Sequence, residues 1–193
     1  DAIAQVNRIN IENENVIGSL SLKGAIFDDL SFKKYKQKLD SDQKVVFLNP
    51  KETLDGFFIE TGWTSIGNKI KVPSLESEWK VNGNRVLTNN NPVILEWNNN
   101  SGLIFSKKIE LDDKYLFKIK QSVKNTTNKN IELYPYSQIT RNKKPDDVMG
   151  FYILHEGFIG VFDGELKEDG YDDVEERKIS REANNGWLGI TDK

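Results

Sequence analysis

Leu103-Ile104-Phe105-Ser106-Lys107-Lys108-Ile109-Glu110-Leu111 and, after Asp112-Asp113-Lys114, Tyr115-Leu116-Phe117-Lys118-Ile119-Lys120-Gln121-Ser122-Val123 decide the fold by their spacing. In the second run Tyr115, Phe117, Ile119 and Val123 fall on one side of an extended chain, and Lys118, Lys120, Ser122 and Lys124 on the other. Successive side chains of a strand point to opposite faces, so this is one apolar and one wet face. In the first run Leu103, Phe105, Ile109 and Leu111 share a face, with Lys107 as the exception. A sheet with one face in the core and one in water is the antiparallel pattern.

The pattern extends outward in both directions. Val93 to Trp97 precedes it, turning at Asn98-Asn99-Asn100-Ser101-Gly102. Beyond Asn125 to Asn130, Ile131 to Thr140 is expected to close the same meander. Upstream, Trp79-Lys80-Val81 and Arg85-Val86-Leu87 flank Asn82-Gly83-Asn84, which predicts a hairpin because Asn and Gly tolerate positive φ. Asn7 to Asn13, Ser19 to Gly24 and Gly24 to Leu30 read as strands, with a tight turn near Lys23-Gly24. Val45 to Leu48 is expected as a short buried strand and Gly56 to Trp63 as an aromatic one. Lysine-rich Lys33 to Lys44 reads as an exposed loop. Turn signals at intervals of about 8–12 residues favour a β-sandwich.

With 193 residues, 37% hydrophobic and 30% charged, the chain suits a globular domain with a real core. No apolar run approaches the roughly 18–20 residues that span a bilayer as a helix. A net charge of −3 is too mild by itself to imply a nucleic-acid or anionic-membrane partner. The charge is uneven: Asp163 to Glu182 holds nine acids and four bases. The absence of cysteine excludes disulfides, thiolate metal ligands and thiol catalysis. After Gly164 the strand pattern stops, and Tyr171 to Ile179 reads as a short helix with acids early, where they suit the helix dipole.

Three stretches carry a resemblance. Leu133-Tyr134-Pro135-Tyr136, then Gly150-Phe151-Tyr152-Ile153-Leu154-His155-Glu156-Gly157-Phe158-Ile159-Gly160-Val161, then Gly186-Trp187-Leu188-Gly189-Ile190-Thr191-Asp192-Lys193 resemble the large periplasmic domain of the bacterial YidC-type membrane protein insertases. Leu22-Lys23-Gly24-Ala25, Asp28-Asp29-Leu30 and Glu60 to Trp63 fit the same family, so the likeness covers essentially the whole chain. It implies an all-β fold with a short C-terminal helical segment, a large twisted antiparallel β-sandwich of the supersandwich, galactose-mutarotase-like type. The sandwich is expected over 1–164, with 165–193 as an acidic helical or loop extension leading towards the membrane. Gly186, Trp187, Leu188, Gly189 and Ile190 are the expected membrane-proximal lead-in. The family's insertase work lies in transmembrane helices, so none of its groove residues carries over to a position here. The resemblance implies a non-catalytic scaffold or chaperone-like module in the periplasm, anchored at the inner membrane. Its implied partners are SecD/SecF, the Sec translocon and nascent membrane proteins.

The chemistry-bearing residues read as structure. His155-Glu156 invites an acid–base reading, and a carbohydrate-binding or aldose-epimerase-like sandwich is the alternative function. Yet this is the only His, and adjacent strand residues point to opposite faces. One His and no Cys leave only hard-ion sites, and Asp112-Asp113, Asp146-Asp147 and Asp172-Asp173 lack EF-hand spacing and suit turns or helix starts. No metal or cofactor is expected. Trp63, Trp79 and Trp97 lie in strand-like runs and are expected to pack as core or edge residues. Trp187 suits a membrane–water interface.

Overall fold

A computed structural model describes residues 3, 6–145 and 155–192. They form two compact units, Asp1–Asn142 and Lys143–Lys193. In chain order the strands are β1 (Arg8–Glu12), β2 (Val16–Ser21), β3 (Ile26–Lys36), β4 (Lys44–Leu48), β5 (Phe57–Thr64), β6 (Lys80–Asn82), β7 (Val86–Leu87), β8 (Val93–Asn98), β9 (Leu103–Leu111), β10 (Phe117–Asn125), β11 (Tyr134–Arg141), β12 (Gly157–Phe162), β13 (Glu165–Gly170) and β14 (Gly186–Thr191). One short helix, α1 (Tyr171–Glu176), follows β13. The fold is all-β, as the spacing predicts.

The first unit is a sandwich. A seven-stranded sheet runs β11-β5-β3-β2-β1-β7, with β4 also on β3, and a four-stranded sheet runs β10-β9-β8-β6. Their inner faces share one core: Ile9, Ile11, Val16, Leu20, Phe27 and Trp63 from the first sheet meet Val93, Leu95, Phe105 and Ile109 from the second. The meander β8-β9-β10 forms as expected, and β10 alternates half-buried and exposed residues along its length. Turns lock the two sheets to each other. Asn13 Oδ1 accepts the backbone N–H groups of Asn15 and Val16, at 2.7 and 2.8 Å, which shapes the β1–β2 turn. Its Nδ2 donates to the Asp112 and Lys114 carbonyls across the sandwich, at 3.0 and 2.9 Å.

Lys107 continues the inward series of β9 and is only 2% exposed. Its ammonium donates to the Thr61 carbonyl at 2.7 Å and lies 4.9 Å from the centre of the Trp79 ring. Burial drives its pKa down to about 8, against the upward pull of the Glu60 carboxylate. The exception in the apolar pattern is therefore a cross-sheet strut rather than an outward residue.

Four expectations need correcting. Asn82-Gly83-Asn84 does turn, with Gly83 at φ 96°, but it does not close a hairpin. β6 pairs with β8 in one sheet and β7 lies parallel to β1 in the other. The turn residues serve any tight reversal; the burial of Leu87 against the first sheet decides where the chain goes. The Ile131 to Thr140 segment likewise leaves the meander, and β11 pairs along the whole of β5. Pro135, lacking an N–H, sits on that edge strand, where one side makes no ladder bonds. The Lys33 to Lys44 loop is shorter than expected, since β3 runs on to Lys36 and the ladder closes at Lys36↔Lys44. Lysines fit the wet face of a strand as well as they fit a loop. Finally, β4 is mostly exposed, with Leu48 its one buried residue.

The second unit is a three-stranded sheet in the order β13-β12-β14. The extension expected to be helix or loop thus contributes two strands. Position 164, expected as the boundary, lies in the tight turn between β12 and β13. The helix expected over 171–179 is confined to α1.

Candidate functional site: the edge strand Gly186–Thr191

The residues expected to lead towards a membrane fold as β14. It pairs antiparallel with β12 in the register Phe162↔Gly186, Val161↔Trp187, Gly160↔Leu188, Ile159↔Gly189 and Phe158↔Ile190. Two glycines permit this close approach. A Cβ on Gly186 would lie 2.1 Å from the Val161 carbonyl oxygen, and one on Gly160 would lie 2.7 Å from that of Trp187. Among the described residues β14 is an edge of the sheet, and it carries no charge, whereas the opposite edge, β13, holds Glu165, Lys167, Glu168 and Asp169. Charged residues blunt an edge against further pairing; β14 has none. Trp187 is 54% exposed and Leu188 66%, on opposite faces of the strand. The register puts Leu166, Val161 and Trp187 in one row across the sheet, and Leu166 is also exposed.

Local chemistry holds the strand in place. Asp163 and Gly164 form a two-residue turn with φ 50° and 90°, the handedness that suits a hairpin. The Asp163 carboxylate accepts the backbone N–H groups of Asn184 at 3.0 Å and Asn185 at 2.9 Å, which brings the start of β14 to the turn. Those bonds favour the ionised form and hold its carboxyl below the usual range. At the other end Thr191 Oγ1 donates to the His155 carbonyl at 3.0 Å, and the Tyr171 hydroxyl donates to Asp192 at 2.5 Å. Asp173 accepts the Gly170 N–H at 2.8 Å and starts α1.

On the Leu188 face, α1 and residues 177–181 border a groove of about 450 Å³. Phe158, Phe162 and Leu188 contribute apolar surface to it, and Lys167, Arg177, Lys178 and Arg181 contribute charge.

The family model of the YidC periplasmic domain matches residues 8–193. The chain belongs to this family. It is 46% identical over 193 residues to the membrane protein insertase YidC of Pelagibacter ubique, covering 100% of this chain and 34% of that protein. The insertase of the same name from Jannaschia is 39% identical, with 100% of this chain and 33% of that protein covered. That of Bradyrhizobium diazoefficiens is 40% identical, with 100% and 31% covered. The chain thus spans about a third of the length of these relatives.

The other residues singled out by sequence take structural places in this YidC periplasmic domain. His155 Nε2 lies 2.9 Å from the Phe158 carbonyl, so the ring donates to backbone at the start of β12. Among the described residues no hydrogen bond joins it to Glu156, and it does not line the groove. No group of three or more metal-ligating side chains converges among the described residues. Trp63 and Trp79 are core residues, stacked with centroids 6.5 Å apart, and Trp97 packs on Phe105. They offer no sugar platform. Asp112 caps a turn by accepting the N–H groups of Lys114 and Leu116, at 2.9 and 2.8 Å. Asp172 pairs with Lys144. Asp146-Asp147 lies outside the described residues, as does the whole Gly150 to Leu154 stretch.

Three positions that matter here escape the sequence reading: Asp163, Gly160 and Tyr171. Asp163-Gly164 could have been found as an Asp-Gly pair beside an apolar run. Gly160 could not, because the need for it arises only when β14 docks.

Proposed function

We propose that this chain is a non-catalytic periplasmic interaction domain of a membrane protein insertase, carried at the bacterial inner membrane. Family membership supports the setting, and the uncharged edge strand β14, with Trp187 and Leu188 exposed on opposite faces, carries the proposal that contact is made there. Trp is at home where one side is apolar and the other wet, and that suits the membrane-proximal place expected for Gly186 to Ile190. The free side of β14, which no described strand covers, also suits an extended segment of a nascent membrane protein, added as a further strand. SecD/SecF and the Sec translocon are the accessory partners this reading expects. The test is site-specific photo-crosslinking in the intact membrane-anchored protein, with the probe at position 187 or 188 and, for comparison, at Ser101 in the β8–β9 turn. Adducts with lipid or protein should be abundant at 187 and 188 and sparse at 101. Equal yields at the three positions would overturn the assignment of β14 as the contact strand.

A further inference from the structure

The second unit is acidic, yet its groove is not. From Asp163 to Glu182 the acids outnumber the bases by nine to four. The groove reverses that balance: Lys167, Arg177, Lys178 and Arg181 line it against Asp169 alone. The helix explains the separation. Tyr171 is buried and Val174 half-buried towards the sheet, while Asp172, Asp173, Glu175 and Glu176 are exposed on the other side of α1.

The four cations are not equivalent. Lys167 pairs with Glu165 at 2.9 Å, and Arg181 pairs with Asp169 at 2.6 Å. The side chains of Arg177 and Lys178 make no hydrogen bond or ion pair with a described residue, and both are exposed. A second cavity, in the first unit, supplies the contrast. Its Arg8 is bound to Asp28, its Lys23 to Glu76, and its Lys51 lies 3.8 Å from both Glu52 and Glu76, so its charges already answer one another. Of the two cavities, the groove of the second unit is the one that combines cations outside any ion pair with a described residue and apolar surface from Phe158, Phe162, Val174, Ile179 and Leu188.

We infer that this groove binds an anionic membrane lipid, its headgroup against Arg177 and Lys178 and the upper part of an acyl chain along Phe158, Phe162 and Leu188. Charge complementarity selects the anionic headgroup. The apolar stretch, continuous with the exposed Leu188, selects a ligand with a hydrocarbon tail over a free anion. The groove is within the range of about 300–1,000 Å³ common for small ligands, large enough for a headgroup and part of one chain. The choice of a lipid rests on the membrane-proximal reading of β14; the test below is made without a membrane, so the two can fail separately.

The experiment titrates the 193-residue chain with monomeric lysophosphatidylglycerol, below its micelle concentration, and follows backbone amide shifts by NMR. The expected result is saturable shifts at Gly160, Leu188 and Gly189. The double variant Arg177→Gln/Lys178→Gln should weaken binding by about tenfold or more, the order expected when two cationic contacts to an anionic headgroup are lost. The control Lys118→Gln/Lys120→Gln, on the exposed face of β10, should bind as the parent does. Glycerol phosphate, the headgroup without a tail, should bind at least about tenfold more weakly, and lysophosphatidylcholine likewise. Equal affinity for glycerol phosphate would make this a free-anion site and overturn the inference. Unchanged binding by the double variant would overturn it too. So would saturation by an acidic apolar peptide under conditions where the lipid gives no shifts.

Discussion

The two units reach order by different means. In the sandwich, side chains such as Leu20, Leu87, Leu95, Phe105 and Ile109 are fully enclosed between two sheets. In the β13-β12-β14 unit, Tyr171, 7% exposed, is the one large apolar side chain among the described residues that is buried. That unit is held instead by its ladders, by the Asp163 carboxylate on two N–H groups, and by the Tyr171–Asp192 and Arg181–Asp169 contacts. Burial makes a fold tolerant of its turns and intolerant of lost volume. A small sheet with little enclosed volume is the reverse, sensitive to where single backbone atoms lie.

The largest expected effect tests the first half of that contrast. Phe105 is 0% exposed and meets the rings of Trp63 at 5.1 Å and Trp97 at 5.7 Å. Phe105→Ala should cost about 3–5 kcal/mol, the range for emptying a buried aromatic site. Phe162→Ala, at a half-buried position in the second unit, should cost about 1 kcal/mol. Urea unfolding followed by fluorescence for the first unit and by amide exchange for the second measures both. Similar losses would break the contrast.

Lys107 sharpens it, because a charge inside the sandwich is a burden that no exposed cation of the second unit carries. Its folded pKa, about 8, lies below the ordinary lysine value. The unfolded chain therefore binds this proton more tightly than the folded one. Stability should rise as pH goes from about 8 towards the unfolded value of about 10.4, and the gain is lost as pH falls back through about 8. Lys107→Met keeps most of the volume and should remove that rise, with little loss or a gain at pH 7. Lys107→Ala should be the more damaging of the two, since it adds a cavity. A parent protein whose unfolding free energy is flat between pH 8 and 10 would contradict the burial of a charged lysine.

Gly160 and Gly189 test the second half. A Cβ on Gly160 would meet the Trp187 carbonyl oxygen and the Phe162 ring at 2.7 and 2.8 Å, whereas one on Gly189 would find nothing within 4 Å. Gly160→Ala should cost about 1–3 kcal/mol through forced shifts and speed amide exchange along β14. Gly189→Ala should stay within about 0.5 kcal/mol of the parent. The same response at both sites would mean that backbone approach does not govern this sheet.

The same division explains what the sequence made legible. The period-two pattern from Val93 to Asn125 is written by burial on one face, so strands β8, β9 and β10 and their turns could be read directly. Partners beyond the meander could not be. Asn82-Gly83-Asn84 and Asp163-Gly164 are both tight reversals with glycine at positive φ, yet only the second closes a hairpin. Local chemistry specifies that the chain turns; the sheet that takes Leu87 specifies which way. Lys107 looked like a break in the pattern because its partners, Thr61 and Trp79, are 46 and 28 positions away in sequence. At the candidate site, Trp187 and Leu188 were singled out by resemblance. That they form a strand was not legible, because a Gly-Trp-Leu-Gly-Ile run pairs only once Gly160 and Gly186 allow β12 to come close.

The smallest expected effect concerns Asp163, which holds the start of β14. Its carboxylate is ionised more readily in the folded chain because the N–H groups of Asn185 and Asn184 donate to it. The folded value lies below the unfolded one, about 3.9, so its contribution is complete above that pH and is lost as pH falls through the lower folded value. The side chain is exposed, so the consequence is local: amides at the start of β14 should exchange faster in acid than at pH 6, while those of β9 hold. Asp163→Asn keeps an acceptor oxygen but removes the charge. It should weaken the protection of Asn184 and Asn185 at pH 6 and abolish the acid dependence there. If Asn184 and Asn185 exchange alike at both pH values in the parent, the turn is held by its backbone geometry, with Gly164 at positive φ, and not by the carboxylate.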